Sequence, residues 1–261
     1  MMSFSDLLDT VRADGDVWRA DAGADWRQGR TLYGGASAAL CLEACLRAAK
    51  PAAPLRSAQI SFIGPSAENL TLAPAVLRQG KSATFIGCDL LSDDAIATRA
   101  VFCFGDARPS AQARQAPRGP SAPAPDACGG YFDADRRPAF ATHFDLRLAG
   151  GARPLSGATD PDILVWARHR DEQAAGAAAL LALADVPPPA AFTLFTAPTI
   201  ISTMTWMVDV LDPAAMATGG WKLLRSTAES VGDGYSAQAM TIWDADGRAI
   251  LAGRQSIAVF G

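Results

Sequence analysis

Two polar residues lie in segments of the chain that are otherwise apolar. Asp185 ends an alanine- and leucine-rich run, where its carboxylate faces the negative pole of a predicted helix. Gln255, Ile257 and Val259 are spaced two residues apart, so their side chains share one face of a predicted strand. On this apolar face Gln255 needs a hydrogen-bond partner. A role in solvating the surface explains neither position well, and both residues are therefore candidates for a functional site.

A third candidate is Thr203, on a strand-like run where Thr205 and Met207 are expected to share its face. The preference of threonine for strands is an ordinary reason for its presence. However, a hydroxyl and an amide can each donate and accept a hydrogen bond, whereas a carboxylate can accept a proton. A carboxylate, a hydroxyl and an amide that met at one point could activate and orient a water molecule without a covalent intermediate.

Other catalytic patterns in the sequence are incomplete. The run 35–39 lacks the last glycine of a nucleophile elbow, and Gly-Lys-Ser at 80–82 lacks the first glycine of a phosphate-binding loop. The run 232–237 imitates a dinucleotide-binding fingerprint, but a strand rather than a helix is expected after it. The two histidines, His143 and His169, lie in no metal or nucleophile pattern, which argues against a Ser-His-Asp hydrolase.

The composition indicates a soluble globular protein. Of 261 residues, 49% are apolar and 19% are charged, and the net charge of −4 gives no electrostatic footprint for nucleic acid. Five cysteines without a C-x-x-C pair favour reduced thiols in a cytoplasm over disulfides or a zinc site. We expect no signal peptide, no membrane span, no metal and no other cofactor.

A stretch rich in proline, alanine and glycine divides the chain. Residues 106–138 show no periodicity, which is typical of a linker or a long surface connection. This stretch separates a predicted N-terminal domain, residues 1–105, from a predicted C-terminal domain, residues 139–261.

The predicted elements of the first domain are a helix at 36–50 and strands at 57–64, 70–79, 82–92 and 95–105. Those of the second are strands at 140–151 and 163–170, a helix at 171–185 with acidic residues in its first turn, and strands at 201–211, 221–231, 235–245 and 249–261.

The last three strands of the two domains match in order and in their turns. The turn at 93–94 corresponds to the turn at 246–247, and AVFCFG ends one half as SIAVFG ends the other. This repeat indicates duplication. A sheet curled around one apolar helix is the hotdog arrangement, so we predict an α+β double hotdog fold with two antiparallel sheets, each wrapped around a central helix. On this alignment Arg99 takes the place of Gln255, so the site is expected in the second half alone.

Several short motifs, in a consistent order, carry a resemblance to a known family. They lie at 32–35, 61–65 and 77–82 in the first half and at 144–147, 165–168, 181–185, 243–248 and 253–255 in the second. Together they resemble the acyl-CoA thioesterase II family over nearly the whole chain outside 106–138. Members of that family hydrolyse fatty acyl-CoA with an Asp, a Thr and a Gln that orient a water. By position, the resemblance implies these roles for Asp185, Thr203 and Gln255.

One strand departs from the pattern of that family. Where members carry an Asp two positions after the Thr, this chain has Thr205, and the next residues, 206–209, lack the usual histidine. The hydroxyl could therefore come from Ser202, Thr203 or Thr205. The departure also motivates an alternative, a non-catalytic protein that binds acyl-CoA or an acyl carrier. A hydratase of the same fold, which commonly uses an Asp/His pair, is a further alternative.

The resemblance also suggests how a substrate would be held. Backbone N–H groups of Gly34 and Gly35, at the start of a buried helix, could stabilise an oxyanion. Arg78 and Lys81 could contact the phosphates of coenzyme A, and Thr205 is a further candidate for substrate contact. The implied partner is acyl-CoA, and association into a homo-oligomer is left open.

Overall fold

The computed structural model describes residues 1–133 and 137–260. The N-terminal half consists of α1 (Phe4–Asp9), β1 (Arg12–Asp14), β2 (Val17–Ala20), β3 (Arg27–Gln28), β4 (Thr31–Leu32), α2 (Gly34–Ala49), β5 (Leu55–Phe62), β6 (Leu70–Gln79), β7 (Thr84–Ser92) and β8 (Ala95–Phe104). The C-terminal half consists of β9 (Phe144–Gly151), β10 (Asp162–His169), α3 (Gly176–Ala184), β11 (Ile200–Val210), β12 (Lys222–Gly232), β13 (Tyr235–Trp243) and β14 (Ala249–Phe260). The sequence does not predict α1 or the strands β1–β4, because these elements are short and β1 is exposed along its whole length.

Within the described residues, twelve strands form one antiparallel sheet in the order β1-β2-β6-β7-β8-β5-β11-β14-β13-β12-β10-β9. The order is a palindrome, since each strand of the first half has a counterpart at the mirrored position in the second. The two half-sheets join where β5 pairs with β11 and Ile60 lies opposite Trp206. This pairing satisfies backbone groups that two edge strands would otherwise leave exposed. The predicted double hotdog fold is confirmed, with its two sheets continuous.

The central helices α2 and α3 pack against each other inside the curve of the sheet. Most of both helices is buried, because most of their side chains are small or apolar; Glu43 of α2 is partly buried and pairs with Arg47 at 2.6 Å. The end of α3 meets the start of α2, so the two helices run in opposite directions. Among the described residues, none of the helices combines the length and the hydropathy that crossing a membrane requires.

The helix predicted at 171–185 begins later than expected, at Gly176. The carboxylate of Asp171 instead accepts hydrogen bonds from the N–H and the hydroxyl of Ser5, at 2.8 and 2.7 Å, and from the N–H of Gln173 at 2.9 Å. A side-chain acceptor of this kind competes with helical hydrogen bonding and holds the segment in a turn. The first turn of α3 therefore contains no acidic residue, and the predicted interaction with the helix dipole is wrong.

Part of the segment predicted as a linker packs on the outer face of the second half. Trp166, Leu223 and Trp243 lie side by side across β10, β12 and β13, and all three are buried. Residues 117–128 cover them, and the indole N–H groups of Trp166 and Trp243 donate to backbone carbonyls of that segment at 2.8 and 3.1 Å. This second, smaller core attaches the connection to the C-terminal half, whereas the main core lies on the inner face of the sheet.

Candidate active site

A cavity of about 790 Å³ lies between the two halves of the molecule. Its wall is built from the start of α2, the end of α3, the segment after β5 and the first residues of β11. The residues that line it include Gly34, Ser37, Phe62 and Thr98 from the first half and Asp185, Thr203 and Gln255 from the second. The cavity that contains all three candidate residues is thus shared between the halves, rather than enclosed by the second half as predicted.

Asp185 follows the last turn of α3 and faces the first turn of α2. The backbone N–H of Gly35 faces its carboxylate and acts to lower the pKa of that group. A Cβ added to Gly34 would lie 2.7 Å from Asp185 Oδ2, and one added to Gly35 would lie 2.6 Å from the ring of Tyr33. A side chain at either position would displace the carboxylate or the phenol, because both pack directly on the backbone. The positive end of the α2 dipole consequently lies against the carboxylate.

Tyr33 holds the two helices at this spacing. Its hydroxyl donates to the carbonyl of Ala182 in α3 at 2.6 Å, and its ring stacks on Phe140 with the ring centroids 4.0 Å apart. Burial raises the pKa of the Tyr33 phenol well above its usual range, so the hydroxyl remains a donor. The distance between Gly35 and Asp185 is therefore set by a fully buried contact.

The carboxylate of Asp185 is paired with the amide of Gln255. Gln255 Nε2 donates to Asp185 Oδ1 at 2.8 Å, and Gln255 is only 5% exposed. Burial raises the pKa of the Asp185 carboxyl to about 7, although the hydrogen bond from Gln255 and the nearby N–H of Gly35 act in the opposite direction. A carboxyl group with a pKa near neutrality can accept a proton and return it at physiological pH. The pair thus has the properties of a general base with a fixed orientation.

Gln238 is a polar member of this network that the sequence analysis missed. It lies opposite Gln255 on the neighbouring strand β13, and its Nε2 donates to Gln255 Oε1 at 2.6 Å. Its side chain shares one face of β13 with those of Met240 and Ile242, which are also buried. The test that selects Gln255, a carboxamide on an apolar strand face, would have selected Gln238 as well.

Thr203 lines the cavity from β11, opposite Ile257 on β14. A β-bulge between Thr203 and Thr205 shifts the alternation of the strand by one residue, so that Trp206 is buried and Thr205 is exposed. The expectation that Thr203 and Thr205 share a face is therefore wrong. Ser202 also lines the cavity, but it is exposed, which leaves Thr203 as the most enclosed of the three hydroxyls.

Arg78 and Lys81 do not line the cavity. They lie at or next to the hairpin between β6 and β7, where β6 ends. Thr98, which lines the cavity, lies at the opposite end of the sheet, where β6 begins. The ten residues of β6 separate these two ends, a span of roughly 30 Å. Within residues 1–133 and 137–260, the basic side chains that do line the cavity are Arg30, in the turn between β3 and β4, and Arg153.

Family models match both halves of the chain. A model described as the acyl-CoA thioesterase N-terminal domain matches residues 22–105, and one described as the acyl-CoA thioesterase C-terminal domain matches residues 112–259. The chain belongs to the acyl-CoA thioesterase family. The two models together match both halves of this thioesterase family member. The second match also includes most of the connection between the halves, from residue 112 onward. No protein of curated function matches the sequence.

Several solved structures share the fold of this thioesterase family member. A conserved protein of unknown function with a hot dog fold from Alicyclobacillus acidocaldarius is 22% identical, with 98% of this chain and 97% of that chain covered and a TM-score of 0.89. A protein from Thermobifida fusca named as a thioesterase II is 19% identical, with 100% and 98% covered and a TM-score of 0.83. An acyl-CoA thioesterase II from Mycobacterium marinum is 17% identical, with 98% and 97% covered and a TM-score of 0.77.

The two histidines of this thioesterase family member lie away from the cavity. The ring of His143 stacks on Trp26 with the centroids 3.9 Å apart. Nε2 of His169 lies 2.8 Å from the carbonyl oxygen of Ala179, and burial lowers the pKa of His169 to about 4. Neither histidine lines the cavity that contains Asp185.

The equivalence predicted between Arg99 and Gln255 is wrong by one residue. Arg99 is exposed and forms an ion pair with Asp89 at 2.7 Å, because it points to the outer face of β8. The inner face carries Thr98 and Ala100, and Ala100 lies opposite Cys88 on β7. Among the described residues, the inner face of β8 therefore has no carboxamide to match Gln255.

Proposed function

We propose that this protein hydrolyses an acyl-CoA thioester to the free acid and coenzyme A. In this reaction Asp185 is the general base, while Gln255 and Thr203 orient the attacking water. The observation that carries the proposal is a partly buried carboxylate, held by an amide, on the wall of a cavity that also contains the start of a helix. The family of the chain supports the reaction class.

The reaction proceeds through a positioned water. The Asp185 carboxylate removes a proton as the water oxygen attacks the thioester carbonyl carbon, and a tetrahedral oxyanion forms. The first four N–H groups of a helix have no partner within the helix. We assign stabilisation of this negative charge to the unpaired N–H groups of the first turn of α2, which packs against Asp185. The C–S bond then breaks, and the departing thiolate receives the proton from Asp185.

The cavity can accommodate an apolar acyl chain beside this centre. Phe62, Phe132, Phe192 and Ile201 line it, and all four are only partly buried, so their surfaces are available to a ligand. Apolar walls with a few converging polar groups are typical of small-molecule sites. The volume of about 790 Å³ lies within the range of such pockets.

The placement of the histidines favours hydrolysis over hydration. A hydratase of this fold would need a histidine beside Asp185, whereas His143 and His169 are both engaged elsewhere in the core. A protein that only binds acyl-CoA would have no use for a carboxyl whose burial raises its pKa to about 7, since desolvation of a charge costs stability. The geometry therefore supports turnover rather than storage of a thioester.

The first test is the release of thiol from a panel of acyl-CoA esters that differ in chain length. With a thiol-reactive chromophore we expect turnover of at least one ester well above its uncatalysed hydrolysis. Thermal unfolding of the same samples reports binding independently. Thermal stabilisation by an acyl-CoA without any thiol release would favour the binding alternative, and hydration of a 2-enoyl-CoA without hydrolysis would favour the hydratase.

Arg30 is expected to contact the phosphates of coenzyme A, because it is exposed at the rim of the cavity in a tight turn. Replacing it with alanine should raise KM for acyl-CoA by about 10-fold, the effect of one charge-assisted contact of 1.5 kcal/mol or less. KM for an acyl-N-acetylcysteamine thioester, which lacks the phosphates, should not change. Arg78→Ala is the matched control at the far end of the sheet and should leave both values unchanged. An equal rise of KM for both thioesters in Arg30→Ala would contradict the assignment.

A further inference from the structure

The amide of Gln238 belongs to a continuous chain of hydrogen bonds that ends at Asp185. The backbone N–H of Ala190 donates to Gln238 Oε1 at 2.8 Å, Gln238 Nε2 donates to Gln255 Oε1 at 2.6 Å, and Gln255 Nε2 donates to Asp185 Oδ1 at 2.8 Å. Gln238 is 2% exposed, so water does not compete for its amide.

The direction of this chain is set at one end by a group that can only donate. A backbone N–H has no acceptor atom, so the oxygen of Gln238 must face Ala190. The nitrogen of Gln238 then faces Gln255 and requires its oxygen there, which leaves the nitrogen of Gln255 for Asp185. Turning either amide by 180° would bring two donors or two acceptors together. A single orientation of both amides therefore satisfies every contact.

Ala190 is held firmly enough to serve as the start of the chain. It begins a short 3-10 helix, Ala190–Thr193, directly after three prolines at 187–189. The hydroxyl of Thr193 donates to the carbonyl of Ala190 at 2.8 Å, and both residues are fully buried. Since proline restricts the backbone before it and at it, the N–H of Ala190 has little freedom to turn away.

We infer that Gln238 is a positioning residue, which selects the orientation of the Gln255 amide and thereby keeps a hydrogen-bond donor on the Asp185 carboxylate. The positioning role itself does not depend on the proposed function. Only its expected effects on kcat rest on that function. Gln238 lies behind Gln255 and does not line the cavity, so it acts on the reaction only through Gln255.

Loss of this control has a definite sign. Without Gln238, the Gln255 amide can turn and present its oxygen to Asp185. A donor facing the carboxylate favours the charged form, whereas an acceptor favours the protonated form. The pKa of Asp185 should therefore rise further, and less of the base should be available at neutral pH.

The experiment compares Gln238→Leu and Gln238→Glu with wild type in pH profiles of kcat. Leucine removes both hydrogen bonds, whereas ionised glutamate keeps the bond from Ala190 and presents a second acceptor oxygen to Gln255, which favours the turned orientation of the Gln255 amide. Both variants should raise the acid-limb pKa by about one unit, the effect of one hydrogen bond. Such a shift lowers kcat about 10-fold at pH 6 and much less at pH 9, while KM is unchanged. Ser236→Ala is the matched control, since Ser236 is buried on the same strand face two residues earlier and should leave the profile unchanged.

An NMR measurement separates this inference from the proposed function. The carboxyl carbon of Asp185, labelled with ¹³C, reports its titration without any substrate, and Asp185→Asn assigns the signal. If wild type releases no thiol, the proposed function fails, while a raised titration midpoint in both Gln238 variants still supports the positioning role. An unchanged midpoint and an unchanged kcat profile in folded Gln238→Leu would overturn it.

A third readout uses wild type alone and does not depend on whether a variant folds. The side-chain amide protons of Gln238 and Gln255 should both shift in NMR spectra as Asp185 titrates, since each hydrogen bond polarises the next. A response of Gln255 alone, with the amide of Gln238 unaffected, would also overturn the inference.

Discussion

Replacing Asp185 with asparagine is expected to lower kcat by about 1,000-fold, within the range that general-base catalysis contributes. Asparagine has nearly the same shape, but its amide does not accept a proton from water. KM should change little, because the substrate is held by the walls of the cavity and by contacts outside the carboxylate. Steady-state thiol release measures both constants.

In wild type, kcat should also fall below pH 7, since burial raises the pKa of Asp185 to about 7 and the protonated form cannot act as a base.

The matched control for this substitution is Asp133→Asn. Asp133 also lines the cavity, but it is exposed to solvent. Its replacement removes the same charge from the same cavity and should change kcat by less than about twofold, as is usual for a screened surface group. Similar losses of kcat in both variants would mean that the cavity needs negative charge in general, and the role of Asp185 as base would have to be abandoned.

The second large effect concerns the free energy of unfolding and its dependence on pH. An unfolded Asp titrates near pH 4, whereas burial raises the pKa of Asp185 in the fold to about 7. Between these values the folded protein retains a proton that the unfolded chain has released. The free energy of unfolding of wild type should therefore fall as the pH rises from about 4 to 7, and this loss should be complete above pH 7.

Asp185→Asn removes this titration and should stabilise the fold relative to wild type at pH 8. Three pKa units correspond to about 4 kcal/mol. Because the side chain lines the cavity, solvent there screens its charge and reduces the expected gain to about 2–4 kcal/mol. Urea unfolding at pH 4.5 and at pH 8 measures the change, with Asp133→Asn as the control that should parallel wild type. If the stabilities of wild type and Asp185→Asn keep a constant difference between these pH values, the carboxyl titrates normally and the buried base is disproved.

These two expectations have opposite signs because one physical cause underlies both. The desolvation that makes the carboxylate basic enough to accept a proton near pH 7 also destabilises the folded state that contains it. A substitution that increases stability while it abolishes turnover is characteristic of an active-site residue. Each prediction thus supports the interpretation of the other.

The alternation of apolar residues along the chain was sufficient to predict the ten strands β5–β14, and the repeat of the last three strands was sufficient to predict duplication. Both features are local or nearly so, because side chains on a strand must alternate between two faces and a tight turn needs residues such as Asp246 and Gly247. The same rule identified Gln255, since a carboxamide on an apolar face requires a partner. It would also have identified Gln238 had it been applied to β13.

The alternation rule failed where the strand was irregular or the alignment slipped. The bulge between Thr203 and Thr205 moves Thr205 to the outer face, and a single bulge has no clear signature in the sequence. The equivalence of Arg99 with Gln255 failed for a related reason, since an error of one residue exchanges the two faces of a strand. Such errors are invisible until the partner strand defines the register.

Only the tertiary structure decided which parts of the two halves share the cavity. The sequence itself determined that the chain would form two helix-and-sheet units with polar side chains at Asp185, Thr203 and Gln255. Joining β5 to β11 then places the start of α2 against the end of α3, so that Gly34 and Gly35 from one half face Asp185 from the other. Arg78 and Lys81 are left at the opposite end of the sheet by the same pairing. Contacts between residues about 150 positions apart depend on how whole elements pack, and local sequence patterns carry no information about that packing.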